Sequence, residues 1–330
     1  MMTTAVEKMQ SALDAIKRHN PCVNAVISLA DPEDLMKHAE AADQVPMDQR
    51  RPLHGEPIAI KDLANAAGFE TSMGSPIFKN NLVKTDDIMV ARMRTAGAII
   101  IGKTNSPEFG LGSHTFNPVH GATGNAYDAT RSAGGSSGGA AVALATGMMR
   151  YADGSDMMGS LRNPAGWNNV YGMRPTWGLV PSEPLGDSFL HQLATNGPMA
   201  RCPKDLATLL SVQSGGDARQ PHGLPTADFA KDMDAHALKG AKIAWLGDWG
   251  NPQSPSHAIF APFNAWACIS LAKSAVGSPW GWRASPPDCT DNIVAKSLGH
   301  RAMGPLVANW CRKLSPSGSE GTNPHVGRMP

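Results

Sequence analysis

The sequence predicts an α/β fold, a mixed central β-sheet flanked by helices, and three observations carry that prediction. Residues 58–60 (IAI) and 98–101 (AIII) are continuous apolar runs, which is how strands buried on both faces read. The second run is fed directly by a segment of helical period, an arrangement that points to a sheet covered on both sides. Finally, two glycine- and serine-rich turns, residues 134–139 (GGSSGG) and 154–162 (GSDMMGSLR), bracket a small-residue apolar run, 140–147 (AAVALATG), that reads as one helix.

The whole chain bounds the reading before any element does. Its 330 residues suffice for one large α/β domain. With 29 basic and 28 acidic residues and no Lys/Arg run, nothing marks a nucleic-acid partner, and small, weakly charged substrates are expected. Five cysteines, an odd number without CxxC or Cys/His ligand spacing, fit a reducing cytoplasm. The N-terminus has no apolar leader region and no stretch approaches a membrane span, so a cytoplasmic protein without a membrane partner is expected.

Taken in order, Val6, Met9, Ala12, Leu13 and Ile16 share a helical face over residues 3–18, and Asn20-Pro21 is expected to end that helix. Residues 24–29 read as a short strand, and Asp31-Pro32 starts a second helix that runs to Ala42. In HGEPIAIKD, residues 54–62, a lysine follows directly on an apolar strand. If buried, Lys61 loses the solvation of its ammonium and becomes a neutral base; if it snorkels to water, it pairs with Asp62 or Glu56. The segment alone leaves both readings open.

Thr85 is expected to cap a helix whose first turn carries Asp86 and Asp87, whose apolar face is Met89, Val90 and Met93, and which Gly97 closes before the strand 98–101. Residues 103–113 (KTNSPEFGLGS) and 117–128 (NPVHGATGNAYD) read as loops at the end of that strand, where sites collect. Beyond the central turns, residues 174–181 and 197–201 are turn-and-short-strand pieces, 204–212 an amphipathic helix and 243–246 (IAWL) a last strand.

The two serine turns suit acyl transfer, because glycine-rich backbone lets N–H groups approach a reacting carbonyl. A GxSxG nucleophile elbow centred on Ser136 or Ser137 needs a preceding strand, and residues 125–133 (NAYDATRSA) lack one; the nearest downstream histidines, His191 and His222, have no distinctive setting. No GK[ST] follows the glycines, which argues against a phosphate loop. A flexible linker would not run straight into an apolar helix and then a second glycine-serine turn.

The option that remains joins the lysine to both serines. Here the sequence resembles the amidase signature family, whose members hydrolyse amides through a Ser, cis-Ser, Lys triad. The resemblance spans about residues 5–247 and rests on five blocks in order: PIAIKD (57–62), GKTNSPEFG (102–110), RSAGGSSGGA (131–140), GSDMMGSLRNPA (154–165) and GMRPTWGLVP (172–181). It implies Lys61 as base, Ser136 as proton relay and Ser160 as nucleophile. It also implies a cis peptide between Gly135 and Ser136, and an oxyanion hole of backbone N–H groups from Met157, Met158, Gly159 and Ser160, the first three forming the substrate-binding wall. Asp156 and Arg162 match residues that brace this loop, and no metal or organic cofactor is required.

The implied function is hydrolysis of a small carboxamide through an acyl-serine intermediate. Alternatives are a glutaminase-type component of a tRNA-dependent amidotransferase and a catalytically inactive homologue; a homodimer is one option for assembly. Met158 stands where many members carry glycine, so either its φ is positive and strained or a flexible thioether lies at the pocket mouth, the reading we favour. Ala133 stands where proline is common.

From Trp249 the composition changes: 10 of the 26 prolines and 5 of the 8 tryptophans follow, with only 3 of the 28 acids. Residues 1–248 are therefore expected to form the amidase-signature core, its sheet incomplete on the C-terminal side. Residues 249–330 read as an atypical tail, a linker, disordered or a frameshifted continuation.

Overall fold

The computed structural model describes residues 3–185, 189–190 and 192–231. The expected strand at 243–246 and the expected tail from 249 onward lie outside them.

Two helices open the chain. The α1 helix, Ala5–Val23, begins with a reciprocal capping box between Thr4 and Glu7 and buries Met9, Ala12 and Ile16. It does not stop at Pro21, as expected, but carries the proline in its last turn. There the ring removes one hydrogen bond of a helix that is about to end, so the cost is small. The actual stop is Asn24, left-handed at φ 51°, with Asn20 Oδ1 accepting the N–H groups of Ala25 and Val26. The α2 helix, Pro32–Asp43, is capped by Asp31, which accepts from Glu33 and Asp34.

Strands β1 (Val26–Ile27), β2 (Pro57–Lys61) and β3 (Ile99–Thr104) form a mixed ladder in the order β1-β3-β2, with β1 antiparallel and β2 parallel to β3. Both faces are covered, as the continuous apolar runs predict. Ala59 and Ile101 pack with α1, α2 and the later helix α4 (Gly138–Ala145), whereas Ile58, Ile60 and Ile100 pack with Met89, Val90 and Met93 of α3 (Ile88–Thr95) and with Leu209 and Leu210 of α6 (Pro203–Gln213). The β3 strand runs three residues past the apolar run, so Lys103 and Thr104 belong to the sheet rather than to the following loop.

The α3 helix starts at Asp87 rather than Thr85, and the acids expected in its first turn point elsewhere: Asp87 accepts from Asn65 N–H and Asp86 from Ala67 N–H. Its first amide, Ile88 N–H, donates instead to Glu183 Oε1 at 2.8 Å, a cap supplied from far along the chain.

A two-stranded hairpin, β4 (Phe116–Asn117) with β5 (Gly121–Ala122), precedes α4 (Gly138–Ala145). All eight residues of α4 are buried, the property of a helix apolar all round. The second glycine-serine segment is only half a turn. Its first part completes β6 (Tyr151–Asp156), which pairs antiparallel with β8 (Thr195–Ala200), itself paired with β7 (Tyr171–Gly172) in the order β6-β8-β7. The short α5 helix, Arg162–Trp167, follows the remaining turn.

Candidate active site

The end of β2 brings Lys61 to the first serine turn. Its side chain is 1% exposed, and Nζ donates to Ser136 Oγ at 2.7 Å, Ser137 Oγ at 2.9 Å and Ser155 Oγ at 3.1 Å. The snorkelling alternative is therefore excluded by position. Burial strips water from the ammonium and pulls its pKa down to about 7, with the carboxylates of Asp153 and Asp156 partly opposing the fall. At that value the amine is neutral in a large fraction of molecules near pH 7, and three hydroxyls surround it.

The serines come from three elements. Ser136 lies just before α4, and the Gly135–Ser136 peptide is cis, as the resemblance implies. Ser137 is the N-terminal residue bounding α4, yet its hydroxyl caps no amide there and faces Lys61 instead. Ser155 sits near the end of β6. Gly154 is what lets β6 pass this close: a Cβ there would stand 2.7 Å from Ser137 Oγ and 2.6 Å from Leu161 Cδ2.

Ser160 occupies the turn between β6 and α5, half-buried. Its carbonyl accepts Ser137 N–H at 3.1 Å, which ties this turn to the first serine turn, and among the described residues its hydroxyl has no hydrogen-bond partner. The turn is held from beneath by Asp156, whose side chain is fully buried. Asp156 Oδ1 accepts Gly159 N–H at 2.7 Å and Oδ2 accepts Leu161 N–H at 3.1 Å. Arg162 grips both oxygens at 3.0 and 3.1 Å, and Arg174 approaches Oδ1 at 3.5 Å. Burial pushes this carboxyl up, but the guanidinium of Arg162 and the two amides outweigh it and hold it below the ordinary carboxylate range.

This bracing corrects one expected assignment. The Gly159 amide is committed to Asp156 and is not free to meet an oxyanion; the amides of Met157, Met158 and Ser160 have no acceptor among the described residues. Gly159 serves through its backbone path instead. Its φ is +120°, and a Cβ there would lie 2.8 Å from Asn163 Nδ2. Met158 does not share the positive φ, and its side chain is 79% exposed, so the position carries no left-handed strain and the thioether lies in solvent. Met157 is exposed beside it at 44%.

Sequence reasoning missed Ser137, Ser155 and Asp153. Asp153 Oδ1 accepts the main-chain N–H of Lys61 at 2.9 Å across the seam between β2 and β6. Residues 153 and 155 share one face of β6, so a period-2 reading of YADGSD would have paired them. Asp153, Gly154, Ser155 and Asp156 in a row, all poor strand formers, hide that strand. The histidines set aside as triad partners are not among the groups described around the serines: His222 packs at a tilt against Trp177 with ring centroids 4.7 Å apart, and His191 lies outside the described residues.

Among the described residues no group of three or more His, Cys, Asp or Glu is placed to hold a metal ion, and no helix is long and apolar enough to cross a membrane.

The Amidase family model matches residues 7–264. Over 340 aligned residues the chain is 32% identical to a component of the glutamyl-tRNA(Gln) amidotransferase of Nitrosococcus oceani, covering 98% of this chain and 69% of that protein. It is 34% identical to an acylamidase of Rhodococcus erythropolis, covering 74% of this chain and 51% of the relative. A solved bacterial aryl acylamidase of the amidase signature enzymes superposes with a TM-score of 0.63 at 32% identity, over 69% of this chain and 48% of the other. The chain spans 49% to 69% of the length of these curated relatives and their like, about half to two thirds.

Proposed function

Since the chain belongs to the amidase signature family, we propose that it hydrolyses the C–N bond of a small carboxamide, with Lys61, Ser136 and Ser160 as its catalytic residues. The observation that carries the reading is the buried Lys61 amine 2.7 Å from the Ser136 hydroxyl, beside a braced turn that carries Ser160.

A serine hydroxyl is a weak nucleophile until a base takes its proton. In the neutral state Lys61 accepts the proton of Ser136, and Ser136 takes that of Ser160, whose Oγ bonds to the carbonyl carbon. The oxygen of the tetrahedral adduct meets the N–H groups of Met157, Met158 and Ser160; loss of one such donor typically costs roughly 3 kcal/mol of transition-state stabilisation. The proton returns through Ser136 to the departing nitrogen, which leaves as ammonia or an amine. Water then gives a proton to the same relay as its oxygen bonds to the acyl carbon, the bond from that carbon to Ser160 Oγ breaks, and the proton returns to Oγ as the acid leaves.

The test is a panel of aryl, alkyl and primary amides assayed for release of amine or ammonia. Turnover by the wild-type chain that is lost in Ser160→Ala supports the reading; turnover that persists in that variant removes Ser160 from the chemistry.

One observation favours a second reading: several relatives are components of amidotransferases. In that role the same residues would deamidate glutamine for a partner protein. Ammonia release from glutamine that appears only when a partner is added would identify it, whereas release from simple amides by the chain alone favours hydrolysis in its own right. Failure of both would match an inactive homologue.

A further inference from the structure

Four ionisable side chains are packed behind the working end of Lys61 with almost no contact with water. Lys61, Asp62 and Asp153 are each 1% exposed and Lys103 is 0% exposed. Three of the four have settled partners. Asp62 accepts from Ser72 N–H and Oγ–H and from Gly74 N–H, and faces the Lys103 ammonium at 3.9 Å. Lys103 Nζ donates to Thr71 Oγ1 at 2.9 Å and to the Ala64 carbonyl. Lys61 has its hydroxyls.

Asp153 is the exception. No cation pairs with it within 4.0 Å among the described residues, and its carboxylate instead accepts the Lys61 amide. That contact is unusual in kind. On one edge β2 pairs with β3; on the other a carboxylate from β6 supplies the acceptor that a neighbouring strand's carbonyl would give.

We propose that Asp153 is a positioning residue for the general base: its carboxylate anchors the main chain from which Lys61 projects, and its negative charge sets how readily Lys61 gives up its proton. The inference rests on the amidase reading above. The charged groups acting on Lys61 are Asp153 and Asp156 of β6, the N-terminal end of α4 presents the uncharged Ser137, and Lys103 of β3, in register with Ile60, acts on Asp62 and Asp153 instead. Asp156 shares its charge with Arg162 and Arg174, so its field at Lys61 is partly cancelled. Asp153 is left as the anion opposing complete loss of the ammonium. Burial pushes its own carboxyl up to about 6, against the pull of the Lys61 amide and of the Lys103 and Lys61 charges, so it is mostly ionised at the pH near 7 where Lys61 is half protonated.

The rate of inactivation by a serine-directed fluorophosphonate, followed between about pH 5 and 9, reads both roles without a known substrate. In wild type the rate should rise through an apparent pKa near 7. Asp153→Asn keeps an acceptor for the Lys61 amide and removes the charge, so the ammonium is less favoured and the acid limb should move to lower pH by about one unit. Asp153→Ala removes the acceptor as well and should lower the high-pH plateau about tenfold, which Asp153→Asn should largely restore. Where Asp153→Asn does not fold, Asp153→Ser carries the same test, because its hydroxyl can accept the Lys61 amide without a charge and the limb should again move to lower pH. A folded variant with an unmoved limb overturns the inference while the amidase reading stands. A folded wild-type chain that is never labelled and hydrolyses nothing refutes the amidase reading, and this inference with it.

Discussion

Lys61 is the residue on which the account turns, and its chemistry makes two predictions. A base with a pKa of about 7 is protonated below that value and useless as a proton acceptor, so kcat/KM should rise with pH along a single acid limb centred near 7. A flat profile from about pH 5 to about pH 8 would remove Lys61 from the reaction. Lys61→Met should abolish hydrolysis without lowering Tm, because an apolar chain of similar length no longer carries the desolvation cost of a buried amine. Asp156→Ala, in contrast, leaves Arg162 and two amides without their acceptor and takes the carboxylate from beside Arg174, and should cost roughly 3 kcal/mol of stability, readable by urea unfolding. Lys61 and the two proposed catalytic serines came from the five blocks that resemble the family, whereas the segment around Lys61 alone left open whether the lysine is buried. Ser137, Ser155 and Asp153 were not legible, since what a serine or aspartate does depends on what it faces, and their partners lie 76, 94 and 92 residues away in sequence.

Elements were legible where burial has a period and hidden where a strand breaks propensity rules. The helices α1, α2, α3 and α6 follow their apolar faces to within a few residues, and the doubly covered ladder follows from IAI and AIII. The β6 strand escaped because Asp, Gly and Ser are poor strand formers; here each has a fixed task in the site, and tertiary packing overrides preference. Its glycine gives a sharp test. Gly154→Ala would drive a methyl group against Ser137 Oγ and should impair fluorophosphonate labelling by a larger factor than it lowers stability. The turn after β6 discriminates in the same way. Met158→Gly should leave Tm unchanged, as that position needs no positive φ, whereas Gly159→Ala should lower it through both strain at φ +120° and the approach to Asn163. The long-range cap on α3 could not be read locally: Glu183→Gln should cost about 1 kcal/mol or less and Glu183→Ala about 1 kcal/mol, measured by thermal unfolding.

At the level of the molecule, two ladders meet at one seam, and the candidate site is built where they meet. The mixed ladder contributes Lys61 from β2, the antiparallel ladder contributes Asp153 and Ser155 from β6, and α4 fills the space between with its N-terminal serines aimed at the lysine. Continuous burial on both faces of β2 is what makes a neutral lysine possible, since an edge or surface strand would leave the ammonium in water. The family likeness and the geometry thus bear on the same three positions, Lys61, Ser136 and Ser160. The most direct measurement is intact mass of the whole chain after treatment with a fluorophosphonate, with peptide mapping of the adduct. A single adduct on Ser160, formed by wild type and absent from Lys61→Ala, is the predicted result. An adduct on another serine, or labelling that survives loss of the lysine, would contradict the proposed relay.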